Sequence, residues 1–208
     1  MKIVNASYRI ETPIDGAEIL KRIEKAGRTC YKSEDRITEE SAKEFVRKLI
    51  ERGHESVLEH ESITVRFICD RSISHEIVRH RIASFSQEST RYCNYGNDRF
   101  GNELTFINPC FLQGNTMAYC EWCNAMEFAE CAYFDMLEDG CTPQEARSVL
   151  PNSTKTEVVM TANLREWRHF LKLRTAKAAH PQMRELTVPL LKELQKQIPV
   201  VFDDIKED

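Results

Sequence analysis

The apolar positions of this chain recur at two spacings, and the switches between them mark out helices and strands. The segment TEESAKEFVRKLIERG (38–53) carries Ala42, Phe45, Val46, Leu49 and Ile50 at helical spacing. Thr38 suits the N-cap, Glu39 and Glu40 the first turn, and Gly53 the exit. SITVRFICD (62–70) alternates instead, with Ile63, Val65, Phe67 and Cys69 on one face, the pattern of a strand. Residues 2–10 alternate more loosely and predict a first strand, and 14–31 predict a short helix ending near Gly27. Ser72 stands where it can cap a short helix running into Arg79.

Farther on, residues 115–140 predict a helix of about 23 residues, roughly 35 Å long. It is apolar on most faces but interrupted by Glu121, Glu127, Glu130, Asp135 and Glu138. Those charges exclude a membrane span and favour burial between neighbours, a subunit interface among them. Thr142, Pro143 and Glu145 spell a capping box with proline at the first helical position, and Pro151 closes that element. KTEVVMTAN (155–163) reads as a strand and LREWRHFLKLR (164–174) as a helix. The last helix, 181–199, should kink or break near Pro189. No repeat, low-complexity tract or linker intervenes. The expected fold is α/β of the α+β type: one mixed domain over residues 1–208, a central β-sheet flanked by helices.

Composition narrows the function classes. A net charge of -4 and a pI near 5.9 argue against general nucleic-acid binding, although local basic segments can still grip a small anion. The N-terminus lacks the apolar core of a signal peptide, and no stretch reaches the ~18 apolar residues of a membrane span. A cytoplasmic protein without membrane partners is expected, its eight cysteines reduced. Cys120 and Cys123 form a C-x-x-C inside the long helix with no second ligand pair, so they read as buried core thiols rather than a zinc site. His54 and His60 lack the spacing of a two-histidine metal site, and no metal is expected. Cys110 follows Pro109, as a thymidylate synthase nucleophile of the cysteine-dependent type would, but no histidine follows it.

Two basic segments remain. RHRIASFSQESTR (79–91) could be a nucleic-acid patch, a phosphate grip or a solvated turn. On a helix started at Ser72, Glu76 and Arg79 are neighbours while Arg81 swings away, so the two arginines hold different partners or two parts of one large ligand. The stretch from Leu164 to Arg184 holds Arg165, Arg168, Lys172, Arg174, Lys177 and Arg184 against Glu166 alone. Leu164, Trp167 and Leu171 form one helical stripe that Arg174 continues. An arginine there must reach solvent or an anion, since an unpaired buried charge is costly. Arg165, His169 and Lys172 form a second, polar stripe. Guanidinium groups on such surfaces suit phosphate and the planar imide edge of a pyrimidine or flavin.

The first segment fills R-H-R-x-x-S-x-x-x-x-S-x-R at Arg79, His80, Arg81, Ser84, Ser89 and Arg91. With GHESVLEH (53–60), ARSVLP (146–151) and the NLR…LR…H run from Asn163 to His180 in the same order, the chain resembles the flavin-dependent thymidylate synthases over nearly its whole length. The resemblance implies reductive methylation of dUMP to dTMP. Its co-substrates are 5,10-methylenetetrahydrofolate as one-carbon donor and NADPH as reductant of FAD, without an enzyme cysteine nucleophile. It also implies a homotetramer with active sites at subunit interfaces. FAD would lie against Ser56, Arg79, His80, Arg81, Gln87, Asn163, Arg165 and His169. The dUMP site would comprise Glu76, Arg79, Gln87, Glu88, Ser89, Thr90, Arg91, Arg147 and Arg174. Arg91 and Arg147 suit the phosphate, and Ser89 suits a hydrogen bond to the nucleotide rather than nucleophilic attack. Arg174 is the expected catalytic group, stabilising negative charge on the uracil ring. Glu76, Gln87 and His169 depart from the residues familiar at those places, Gln, Glu and Asn.

Overall fold

The structure, a computed structural model, describes residues 1–97 and 101–207. The single N-terminal strand expected from the sequence is two, β1 (Lys2–Val4) and β2 (Ser7–Ile10), and they join different sheets. β1 pairs in parallel with β5 (Thr105–Ile107), Lys2 opposite Thr105 and Val4 opposite Ile107. A four-stranded sheet runs in the order β2, β3 (Ser62–Asp70), β6 (Lys155–Asn163), β4 (Ala83–Gln87). β3 and β6 follow the sequence alternation: Ile63, Val65, Phe67 and Cys69 are buried in one, Val158, Met160 and Ala162 in the other.

The chain divides into two compact units, and the division falls within β2, β3, β4 and β6. The first holds residues 1–7, 67–79 and 85–159. Its helices are α3 (Arg71–Ile77), α4 (Thr116–Glu138) and α5 (Pro143–Ala146). Asp70, not Ser72, caps α3: its carboxylate accepts from the Ile73 amide and from the Ser72 hydroxyl, both at 2.8 Å. One oxygen of the carboxylate takes both bonds, so Ser72 is itself tied to the cap instead of forming it. The capping box at Thr142 and Glu145 forms as expected.

The core of this unit gathers Tyr95, Leu104, Phe106, Met126, Tyr133 and Ala146. α4 buries Met126 and Tyr133 and packs half-buried Trp122, Phe134, Met136 and Leu137 against them, while Met117 and Phe128 are 76% and 78% exposed. The expected burial on most faces therefore fails within this chain. The C-x-x-C shares that outcome: Cys120 is exposed and Cys123 half-buried, so neither is a core thiol. One of the acids that interrupt the helix is an anchor. Glu130 binds the Met1 amine at 2.9 Å and accepts from the Leu104 amide at 2.7 Å.

The second unit holds residues 8–66, 80–84 and 160 onward. It contains α1 (Gly16–Thr29), α2 (Ser41–Glu51), α6 (Leu164–Arg174) and α7 (Pro181–Gln197). α1 ends near Gly27 as expected, two residues on at Thr29; a Cβ at Gly27 would stand 2.8 Å from the Phe45 ring, so the glycine also lets α1 and α2 approach. α2 starts at Ser41 rather than after a Thr38 cap, and the Ser41 hydroxyl both accepts from the Thr38 amide and reaches Glu24, at 2.9 Å each. Gly53 does close α2. At φ 71 it donates to the Ile50 carbonyl while His54 donates to Leu49, a left-handed helix exit. α7 continues unbroken through Pro189.

Arg168 lies on α6 and is only 1% exposed. Its guanidinium donates to Glu55 at 2.9 Å, to both oxygens of Asp204 at 2.6 and 2.8 Å, and to the Val201 carbonyl. This fastens the C-terminal segment under α6. Burial pushes the Asp204 carboxyl up, but hydrogen bonds and charge from Arg168 and charge from Lys172 outweigh it and hold it below its ordinary 3.8. Arg168→Met should destabilise the protein by about 2 kcal/mol in urea unfolding, because it removes the buried guanidinium's bonds to Glu55, Asp204 and the Val201 carbonyl. A depressed folded-state pKa contributes stability above the ordinary value and loses it as pH falls through the folded one. The stability gap between wild type and Asp204→Asn should therefore close as pH drops below 3.8. Unchanged unfolding of Arg168→Met would contradict the anchor.

Candidate active site

Strand β6 passes into α6 without a linker because Asn163 caps the helix, its side-chain oxygen accepting from the Glu166 amide at 2.9 Å. Leu164, Trp167, Phe170 and Leu171 are buried, and the Trp167 indole donates to the Ile63 carbonyl at 3.0 Å. These contacts fix the rotation of α6 and with it the direction of every polar residue it carries.

At the far end of the buried stripe, half-buried Arg174 donates through Nε to Nε2 of His80 at 3.0 Å. His80 is 5% exposed, and its Nδ1 lies 3.2 Å from a carboxylate oxygen of Glu166, itself buried. Phe170 packs edge-on to the His80 ring at 4.8 Å, and the exposed His169 ring lies 5.5 Å away. Burial chiefly, then the charges of Arg174 and His169, push His80 down to about 4. Burial raises Glu166, against a smaller opposing effect of His169. His80 is therefore neutral near neutral pH. Ligating atoms of His80, Glu166 and His169 fall within 4.8 Å of one another. A guanidinium donating to the same imidazole opposes a cation there, and the group acts as a hydrogen-bonded cluster.

Of the residues expected around flavin, Ser56, His80, Arg81, Asn163, Arg165 and His169 belong to the second unit, and Arg79 and Gln87 to the first. Ser56 and Arg81 are exposed; Arg165 is exposed and paired with Glu59 at 2.6 Å. The polar stripe of Arg165, His169 and Lys172 faces solvent as the spacing predicts. His54 and His60 flank a 3-10 turn, both exposed.

The expected nucleotide residues other than Arg174 all fall in the first unit. α3 ends at Ile77, and the Arg79 amide turns back to the Glu76 carbonyl at 3.3 Å, so Arg79 sits past the helix rather than on it. Gln87 points its amide at the hydroxyls of Ser74 and Thr156, at 2.9 and 3.3 Å. The Glu88 carboxylate is held by the Tyr95 hydroxyl at 2.8 Å and by Lys155 at 3.0 Å. Burial lowers Lys155, but the bonds it donates to Glu157 and Glu88, and their charges, outweigh it and raise the ammonium above its ordinary value. Ser89 opens a turn: its hydroxyl accepts from the Arg91 amide at 3.3 Å, and its carbonyl from the amides of Tyr92 and Cys93. Thr90 is buried and Arg91 exposed. Arg91 donates to Gln144 on α5 at 2.9 Å, and exposed Arg147 follows one turn later.

Sequence reasoning missed Glu166, Lys155 and Tyr95. Glu166 did carry a signal, being the one acid among six cations between Leu164 and Arg184. Lys155 and Tyr95 matter only through Glu88, from which they are separated along the chain.

A family profile described as thymidylate synthase complementing protein matches residues 14–200. The chain is 38% identical to a flavin-dependent thymidylate synthase of Corynebacterium efficiens, over 97% of this chain and 84% of that one. It is 34% identical to a protein of the same name from Geobacter sulfurreducens, over 86% and 78%. A solved UMP/dUMP methylase, PolB from Streptomyces cacaoi bound with 5-Br dUMP, shares the fold with a TM-score of 0.81 at 24% identity, covering 98% of this chain and 96% of that one. The chain belongs to the thymidylate synthase complementing protein family, the family of the flavin-dependent thymidylate synthases.

Proposed function

We propose that this chain methylates dUMP to dTMP, with 5,10-methylenetetrahydrofolate as one-carbon donor and FAD, reduced by NADPH, as hydride donor. The observation that carries this reading is the Arg174 guanidinium, set at the end of an apolar helix face and held by a buried, neutral imidazole. Uracil C5 becomes nucleophilic as negative charge builds on the ring. A guanidinium at the N3/O2 edge stabilises that charge, and it stays protonated, so it acts as an electrostatic partner rather than a base. Apolar neighbours such as Phe170 keep water away and strengthen the effect.

The remaining residues bind and orient. Arg91 and Arg147, both exposed and both tied to α5 or its end, suit the nucleotide phosphate. Ser89, Thr90, Glu88, Gln87, Glu76 and Arg79 complete the dUMP set, with Tyr95 and Lys155 steadying Glu88. Ser56, Arg79, His80, Arg81, Gln87, Asn163, Arg165 and His169 would hold FAD. The donors of the second unit fit that cofactor, with exposed guanidiniums at Arg81 and Arg165 for a pyrophosphate and the exposed His169 ring for a flat heterocycle. Bound flavin, reduced by NADPH, supplies the hydride.

Residues 1–208 act in this reading as one synthase domain, supported by a family profile that runs through both units. A homotetramer with interfacial active sites follows from the resemblance, and the exposed Met117 and Phe128 of α4 suit a second copy. Eight free thiols accord with the cytoplasm.

The purified protein should be yellow and should oxidise NADPH faster when dUMP is present. A colourless protein with salt-sensitive polynucleotide binding, or a yellow one indifferent to dUMP, would overturn the reading. Arg174→Ala should lower kcat for methylation by roughly a hundred- to a thousandfold while FAD stays bound. Cys110→Ala should retain turnover; loss of turnover in a folded protein would move the chemistry to the thiol.

A further inference from the structure

Arg174, His80 and Glu166 form a chain of hydrogen bonds whose proton positions are fixed by elementary bonding rules. A guanidinium nitrogen donates and never accepts. Arg174 Nε lies 3.0 Å from His80 Nε2, so that ring nitrogen must be the acceptor. A neutral imidazole with an unprotonated Nε2 carries its one proton on Nδ1. Nδ1 is the atom 3.2 Å from the Glu166 carboxylate. Protonated His80 would carry hydrogen on both nitrogens and could accept nothing from Arg174. Burial of His80 and the nearby charges of Arg174 and His169 disfavour that form.

Glu166 is buried, although it is the one acid in a basic stretch. A carboxyl group is costly to bury unless it has work as an acceptor. Its amide is already bonded to Asn163, which fixes its place in the first turn of α6. Arg174 leaves the last turn of the same helix, so one rigid element presents both ends of the chain of bonds.

We propose that Glu166 is a positioning residue for Arg174. Its carboxylate accepts from Nδ1 of His80, sets the tautomer and plane of that ring, and so sets the direction in which the ring holds the guanidinium. The inference rests on the reading of Arg174 as the catalytic group, and it adds a residue that touches neither nucleotide nor cofactor. The pattern is that of an outer partner orienting a histidine through its second nitrogen.

The test uses the full-length holoenzyme and its Glu166→Leu and Glu166→Gln variants. Nitrogen-15 NMR of histidine-labelled protein, with His80 assigned by comparison with His80→Gln, should show the Nδ1–H tautomer in wild type. Glu166→Leu should lose it. Glu166→Gln, which keeps a side-chain oxygen acceptor, should preserve it. In Glu166→Leu, kcat and kcat/KM for dUMP should fall together by about ten- to a hundredfold with KM little changed, and Glu166→Gln should recover most of the loss. An Nε2–H tautomer in wild type would overturn the proposal even if the leucine variant failed to fold. So would a folded Glu166→Leu enzyme with unchanged tautomer and kcat. Full turnover of Arg174→Ala would instead remove the reading on which the proposal rests.

Discussion

A guanidinium offers hydrogens and no lone pairs, and that asymmetry orders the charged cluster along α6. Arg174 can be held only by acceptors, and its Nε meets a buried imidazole rather than a carboxylate. The distinction matters electrostatically. A neutral imidazole directs the Nε edge of the group without adding a charge of its own. Glu166 supplies the negative charge one bond farther away, behind the ring. Buried Trp167, Phe170 and Leu171 keep the helix from rotating, so the geometry depends on packing as much as on polar bonds.

The same helix solves a second charge problem in the opposite way. Arg168 is fully sequestered and ends on carboxylates and a carbonyl, so its charge is spent on holding the C-terminal segment. Six positions on, half-buried Arg174 directs its Nε at a neutral imidazole. Two arginines of one basic run thus meet different kinds of acceptor.

How far the sequence disclosed this varies with the element. β6 and α6 were legible to the residue, because strict alternation gives way to helical spacing at Asn163, whose side chain caps the turn. The capping box at Thr142 and the Gly53 exit were equally plain, since local side-chain chemistry settles both. The first strand was read as one piece because nothing local reveals that β1 pairs with distant β5. Gly27 marked a nearby helix end but also serves close packing against Phe45, a long-range requirement with no local mark. The motif from Arg79 to Arg91 carried the family resemblance, yet the helical geometry assigned to Arg79 was wrong because α3 stops at Ile77. Glu166 was visible as an odd acid among cations, but its role needed the long-range placement of His80, on which periodicity is silent.

The central claim is that a directed guanidinium, and not positive charge alone, activates the pyrimidine. Single-turnover methylation of dUMP by Arg174→Lys tests it most directly, since lysine keeps the charge but replaces the planar donor set with a point charge. Arg174→Lys should bind dUMP and FAD yet form dTMP no faster than Arg174→Ala. A rate approaching wild type would contradict it.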